Sequence, residues 1–425
     1  MMHRAFSMTI VIMIVSLMTC FTPKVNAQTS SEHWAADLDT LAEQLLVRHP
    51  NFYSKHSVEE FEEALDAIFN ALDTLDDQLI VMEMGRLIAL GGDAHTTVSS
   101  GQIGAGMHRL PMQLIVLEDG VFVTSAPKAQ SDLIRQRVVT INAVPIDEVF
   151  QRVSVLFAYE NNSKKIGTGA WYATLLPALQ AVGVIDGHQA NELSVELEHK
   201  DETTKHELPC APQSQEQQWT SFVTQLPEPW PLAYRKQRGY YQSDFISDHK
   251  AFYVAYNKCR EAKDLPMSDF VEFVMDKSNE LDAQRIIIDM RFNGGGDETV
   301  IWPLWQALEK SERFSEEGDI IGLISRQTFS SAMSNSHQLR DNCGAVLIGE
   351  PTGGKPNHFG ALSSFTLPNT KITISHSTRW FQKVEGDPDS VIPDILVPWT
   401  SDALFTGRDD VLDTALSYEA PQSDD

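Results

Sequence analysis

The sequence predicts a mixed α/β protein in three parts: a helical N-terminal domain, a compact β-containing module, and a larger α/β half built on a mainly parallel sheet. Three observations predict it. Residues 58–72 place apolar side chains at spacings of three and four, the period of a helix with one buried face. Residues 113–142 fall into short β-rich runs broken by Asp-Gly and Pro signals. From about Pro227, apolar runs of four to six residues alternate with helical stretches, as strands joined by crossover helices do.

Taken in order, residues 1–27 place His3 and Arg4 ahead of an apolar run from about Met8 to Phe21, then a polar stretch ending Val25-Asn26-Ala27. This is the layout of a secretory signal peptide cleaved after Ala27. The run is shorter than the ~18–20 apolar residues of a spanning helix. No later stretch is long and apolar enough to cross a bilayer, so the expectation is an exported protein, periplasmic or extracellular, with no stable membrane insertion after cleavage.

Residues 28–103 form the helical domain. Ser57 and Glu60 make a capping box ahead of Val58, Phe61, Leu65, Ile68, Phe69 and Leu72, and the domain ends at Gly91-Gly92. Residues 104–158 form the β module, with strands expected at Gln113–Leu117, Val121–Thr124 and Val138–Asn142. Residues 159–226 are polar, with helical patches and an acidic strand-like piece, Glu192–Leu197, and are expected to be a connector. Residues 227–425 form the α/β half. Its strands are expected at Ala251–Tyr256, Arg285–Asp289, Ile320–Ile324 and Ala345–Gly349, and its helices near 268–279, 299–310 and 331–339. The acidic end, Gln422–Asp425, is expected to fray.

The chain has 425 residues, with 33 Lys+Arg against 59 Asp+Glu and a net charge of −26. Loss of residues 1–27 removes Arg4 and Lys24 and no acid, which takes the charge to −28. With no dense basic run, phosphate backbones have nothing to bind, and nucleic acid is excluded as a partner. Cys210, Cys259 and Cys343 remain after the signal, too few and too scattered for a disulfide scaffold, and no C-x-x-C occurs.

Gly349–Lys355 matches G-x-x-x-x-G-K after an apolar strand, but Pro356 stands where a phosphate loop needs Ser or Thr for magnesium, and no helix opens there. No cofactor or metal is expected. G-x-S-x-G and H-E-x-x-H are both absent. Four separated segments carry the chemistry. Gly92-Asp93-Ala94-His95-Thr96 is a histidine in a glycine-led turn. Asp289–Gly296 runs a strand into three glycines, whose N–H groups can converge as an oxyanion hole. Thr328–Met333 sets hydroxyls after a strand, at the mouth of a helix. Lys355 is a lone cation between glycine and proline. Singly, each reads as a turn, a cap or solvated surface.

Together and in this order, the four segments resemble the G-D-G-H-T, D-L-R-x-N-x-G-G, T-x-S-A-[AS]-E and G-E-P-T-x-G-K elements of the tail-specific (C-terminal processing) peptidases, especially their tricorn-core-like bacterial relatives. His49–Tyr53 resembles the family's N-terminal region, and Val138–Val153 a reduced PDZ-like module. The resemblance implies a crotonase-like α/β catalytic domain and a serine endopeptidase acting on peptide or protein substrates. It implies Ser330 as nucleophile, and Gly295 with the N–H of Ser331 as oxyanion hole. Two bases stay open. Lys355 lies 25 residues after Ser330, as in the processing peptidases. His95, with Glu385 as a late acidic partner, matches the tricorn-like version.

A lysine base must be neutral, which requires burial to lower its pKa by about three units, whereas histidine titrates near 6.5 unaided. The flanking Pro351, Thr352, Pro356 and Asn357 also resemble the tricorn-like relatives and favour His95. Ala94, Ser331, Met333 and Gln136 depart from the family pattern. Ser331 leaves either hydroxyl available as the reactive one, and Gln136 argues against capture of peptide C-termini by the β module. The competing reading is a non-catalytic protein that keeps the fold to bind a peptide or apolar ligand.

Overall fold

A computed structural model describes residues 29–99, 101, 106–186, 192–212 and 217–421. The expected signal peptide and the acidic end Gln422–Asp425 lie outside the described residues. Among the described residues no helix is long and apolar enough to cross a membrane.

Helices α1 (Ser31–Arg48), α2 (Val58–Ala71) and α3 (Asp77–Ala89) begin where a side chain accepts an otherwise orphaned backbone N–H. Ser30 caps α1, Asp76 caps α3, and Ser57 and Glu60 form the reciprocal capping box on α2. Their inner faces, among them Leu38, Leu41, Leu45, Phe61 and Met84, are buried.

After the short strand β1 (Thr97–Val98) come β2 (Gln113–Leu117), β3 (Gly120–Pro127) and β4 (Arg137–Ile141), close to the expected runs. Helices α4 (Ile146–Val153), α5 (Asn162–Tyr172) and α6 (Leu176–Ala181) follow. Then come β5 (Glu192–His199), β6 (Glu202–Pro209) and β7 (Trp219–Ser221). These make an antiparallel sheet in the order β7-β3-β4-β5-β6, with β2 against β3 and Val144–Pro145 against β4. Residues 159–226 are therefore no connector: they include α5, α6 and the sheet strands β5, β6 and β7. β5 alternates buried Leu193, Val195 and Leu197 with glutamates, and β6 is mostly exposed, so a half-buried hairpin reads as polar linker. Nor do the boundaries at 103 and 158 separate cores, since Leu38, Met84, Val138, Leu156 and Val195 share one apolar cluster.

The C-terminal half alternates as expected: β8 (Tyr241–Ile246), β9 (Ala251–Tyr256), α7 (Met267–Glu280), β10 (Arg285–Asp289), α8 (Trp302–Glu309), β11 (Ile320–Ile324), α9 (Ser331–Cys343) and β12 (Val346–Gly349). It continues with β13 (His358–Thr366), β14 (Thr373–Phe381), β15 (Ile395–Leu396), α10 (Ser401–Thr406) and α11 (Asp410–Ser417). The sheet order is β8-β9-β10-β11-β12-β15, parallel except for β8. Alternation along β10 sets its two faces: Ile286 and Ile288 pack with Phe270, Leu304 and Leu339 of α7–α9, while Ile287 packs with Val411 and Leu412 of α11.

Because β9 to β12 are parallel, the loops after them emerge at one edge of the sheet, where open α/β sheets bind ligands. A third sheet, ordered β1-β14-β13, joins the two halves. Buried Asp37 of α1 accepts hydrogen bonds from the N–H groups of Asn369 and Thr370 at the β13–β14 turn, at 2.9 and 2.8 Å. The segment following Gly92 is thereby carried to the C-terminal half. Among the described residues Cys210, Cys259 and Cys343 are free thiols.

Candidate active site

The glycine loop after β10 hangs on a buried ion trio. Arg291, 2% exposed, donates to Asp289 through Nε and Nη2 and to both oxygens of Asp409 at 2.6 and 2.9 Å. Tyr253 Oη donates to Asp289 at 2.6 Å. Burial opposes the charge on Arg291, but Asp289 and Asp409 outweigh it and raise its pKa further. Arg291→Met would leave two buried carboxylates unpaired, and a loss of about 3–5 kcal/mol is expected in urea unfolding.

Beyond Arg291, Asn293 Nδ2 donates to the Tyr256 carbonyl, and its Oδ1 accepts from the Gly295 N–H at 2.9 Å. Gly295 and Gly296 have φ of +100° and +141°, conformations that favour glycine. A Cβ on Gly295 would lie 2.8 Å from Ser330 Cβ, and one on Gly296 would lie 2.1 Å from the Cys259 carbonyl oxygen. The chain after β11 is knitted to this loop: Ser325 Oγ donates to the Arg291 carbonyl, Thr328 Oγ1 to that of Met290, and the Phe329 N–H to that of Asn293.

That bracing holds Ser330 at φ 52°, ψ −128°, immediately before α9. A side chain there is strained by about 1–3 kcal/mol, and a sharp strand-to-helix turn of this kind exposes a hydroxyl beside a helix N-terminus. Ser331 Oγ donates to the Gly296 carbonyl at 2.6 Å, so the second hydroxyl is committed to holding the glycine loop. The expected oxyanion pair changes accordingly. The Gly295 N–H is engaged by Asn293, and what Gly295 supplies is close approach; the N–H of Ser331, at the first position of α9, remains a donor. The Gly349–Lys355 loop backs the elbow, with the Gly353 N–H donating to the Thr328 carbonyl at 2.9 Å and Gly354 lying against Phe329. Its glycines serve this packing.

His95, 6% exposed, stacks on Phe329 (ring centroids 4.6 Å apart, 22° between planes) and lines the same cavity of about 520 Å³ as Ser330. Its Nδ1 lies 3.6 Å from Asp93 Oδ1 and 3.5 Å from Glu160 Oε1, while Nε2 makes no hydrogen bond. Asp93 is fixed by Thr96 Oγ1 at 2.6 Å, by the His95 N–H at 2.9 Å and by His49 Nε2 at 3.1 Å. The Asn51 N–H donates to His49 Nδ1, which leaves the proton of a neutral His49 on Nε2, facing Asp93. Burial would raise the Asp93 pKa, but hydrogen bonds from His49 and His95 hold it well below the usual carboxylate range. Burial likewise disfavours charge on His95, yet Asp93 and Glu160 prevail and raise its pKa to about 9. His358 stacks on the other side of the pair, 5.5 Å from His95, with burial pushing its own pKa down.

The remaining expected residues do not line the cavity that holds Ser330. Lys355 Nζ is 2.8 Å from Asp387 Oδ2 and 3.4 Å from Asp389 Oδ1. Burial opposes its charge, but the two aspartates outweigh this and raise its pKa, the reverse of what a lysine base requires. It lines a second cavity, of about 620 Å³, along with Glu160 and His358. Glu385 sits exposed in a turn that Asn357 holds through the Val384 and Gly386 carbonyls. The carboxylates at His95 are those of Asp93 and Glu160, not Glu385. Asp93 stands inside a motif already singled out, two residues before His95. Glu160 carries only the weak signal of preceding Asn161, the N-cap of α5.

No family model and no curated protein matches the chain. Among solved structures it is similar to mature CPAF, with a TM-score of 0.62 and 13% identity over 91% of this chain and 96% of that one. Mature CPAF complexed with lactacystin matches at a TM-score of 0.61 and 13% identity, over 91% and 98% of the two chains. The photosystem II D1 C-terminal processing protease matches at a TM-score of 0.39 and 10% identity over 86% and 93%, a likeness too weak to build on. Identities this low show a shared fold, in keeping with the resemblance to the tail-specific peptidases read from the sequence.

Proposed function

We propose that the chain is an exported serine endopeptidase, periplasmic or extracellular, in which Ser330 attacks a peptide carbonyl and His95 accepts its proton and returns it to the leaving amine. The observation that carries this is the strained, positive-φ Ser330 at the start of α9, sharing one cavity with a buried histidine flanked by two carboxylates. The tetrahedral oxyanion is stabilised by the Ser331 N–H and the helix start. Asp93 and Glu160 are positioning residues whose charge, 3.6 and 3.5 Å from Nδ1, stabilises the imidazolium that forms. The fold shared with CPAF supports the same reading. Catalysis needs no cofactor.

The test is reaction of the protein lacking residues 1–27 with a fluorophosphonate serine probe, which is expected to label wild type and not Ser330→Ala. Equal labelling of both proteins would sink the assignment of the nucleophile, and no labelling of either would favour the non-catalytic, ligand-binding alternative. With its partners holding it charged, Lys355 is a loop anchor rather than a base. Lys355→Met is therefore expected to change kcat/KM by less than about tenfold, measured on a peptide substrate.

A further inference from the structure

The spacing around His95 Nδ1 suits a metal ion better than a hydrogen bond. Nδ1 lies 3.5 Å from Glu160 Oε1 and 3.6 Å from Asp93 Oδ1. Both separations exceed the usual reach of an N–H···O bond, about 2.7–3.2 Å. A tetrahedral zinc ion with bonds of about 2.0–2.2 Å sets its ligand atoms about 3.4 Å apart. The three ligand atoms all lie within 4.8 Å of one another. His95 Nδ1 and Glu160 Oε1 are buried without a hydrogen-bond partner, and the three side chains are 4%, 6% and 0% exposed for His95, Glu160 and Asp93. Two of the three are also held in place independently of any ion, Asp93 by His49 and Thr96, and His95 by its stack on Phe329.

We propose that Asp93, His95 and Glu160 form a site for a divalent transition metal of the zinc class, and that an ion bound there switches the peptidase off. One imidazole and two carboxylates with a fourth position left to water is a zinc ligand set; magnesium prefers oxygen ligands in octahedral array. The ion enters by way of Glu160, which lines the cavity of about 620 Å³, whereas His95 and Ser330 line the cavity of about 520 Å³. It replaces the proton on Nδ1, which is released on binding. The neutral ring then carries its proton on Nε2 and has no lone pair with which to accept one from Ser330. The existence of the site is independent of the peptidase reading, and only its effect on turnover rests on it. The cysteines compete poorly for the ion, because burial raises their thiol pKa values, to about 12 for Cys210 and about 11 for Cys259 and Cys343.

The experiment titrates the mature Ser330→Ala protein with Zn²⁺ against a competing chelator, and with Co²⁺ followed by visible absorption. One ion per chain and tetrahedral-type cobalt bands are expected, and both should be lost when Glu160→Gln or His95→Ala is added. Each variant is first checked for folding by circular dichroism, and if one fails to fold the other decides. No binding, or binding that both folded variants retain, overturns the site. In the Ser330 protein, inhibition by Zn²⁺ that a chelator reverses supports the switch, and full activity with the site loaded overturns it. Absence of any peptidase activity would refute the functional reading and leave the metal titration intact as the test of the site.

Discussion

Ser330→Ala is expected to give a folded protein whose kcat/KM toward peptide substrates is lower by about 10⁴-fold or more, the scale on which loss of a serine nucleophile leaves only binding and oxyanion stabilisation. The fold should survive because alanine keeps the Cβ that the elbow already accommodates at φ 52°. The strain stays while the chemistry goes. Ser330→Gly separates the two: it should be equally inactive yet more stable by about 1 kcal/mol in urea unfolding, since glycine accepts this conformation and serine does not. Ser331→Ala is the matching control. Its hydroxyl makes one hydrogen bond, to the Gly296 carbonyl, and losing a bond of about 0.5–1.5 kcal/mol should cost no more than about tenfold. A Ser331→Ala protein that falls as far as Ser330→Ala would reassign the nucleophile.

The strand and helix alternation from Ala251 to Gly349 was legible because each buried strand is a short, unbroken apolar run: Arg285–Asp289 and Ile320–Ile324 lie inside the sheet with both faces covered. The hairpin Glu192–Pro209 was not legible as part of the β sheet, because its exposed face carries the glutamates and lysine that a linker would carry. The same contrast holds at the site. Ser330, Ser331 and Gly295 follow strands of the parallel sheet directly, so local sequence brings them together. His95 arrives through pairing of β1 with β14, and the Thr96 hydroxyl accepts from the N–H of Ser377, a contact across 281 positions that no local pattern announces. Glu160 comes from a helix start whose backbone is tied to the Thr352 and Asp389 carbonyls by the side chain of Asn161. An acid brought in by such a tie has no motif of its own, which is why the exposed Glu385 was the better match by sequence and the poorer one in space.

The pH profile carries the second large effect. A general base must be neutral before it accepts a proton, and with the His95 pKa raised to about 9 the ring is mostly protonated at neutral pH. In free enzyme, kept in chelator so that no metal competes for the ring, kcat/KM should therefore rise about tenfold per pH unit and level off near pH 9, not near the 6.5 of an unperturbed imidazole. The groups facing the ring fix the direction: burial opposes the imidazolium, while Asp93 and Glu160 favour it and prevail. Glu160→Gln removes one of the two anions without changing shape, so its limb should move to lower pH. Its plateau should drop by about 10²-fold or more, because the charge that stabilises the imidazolium in the transition state is gone. A merely structural role for Glu160 would lower activity without moving the limb. Lys355→Met should leave the limb where it is, since the lysine stays protonated through this range. A limb that disappears in Lys355→Met and persists in His95→Ala would reverse the assignment of the base.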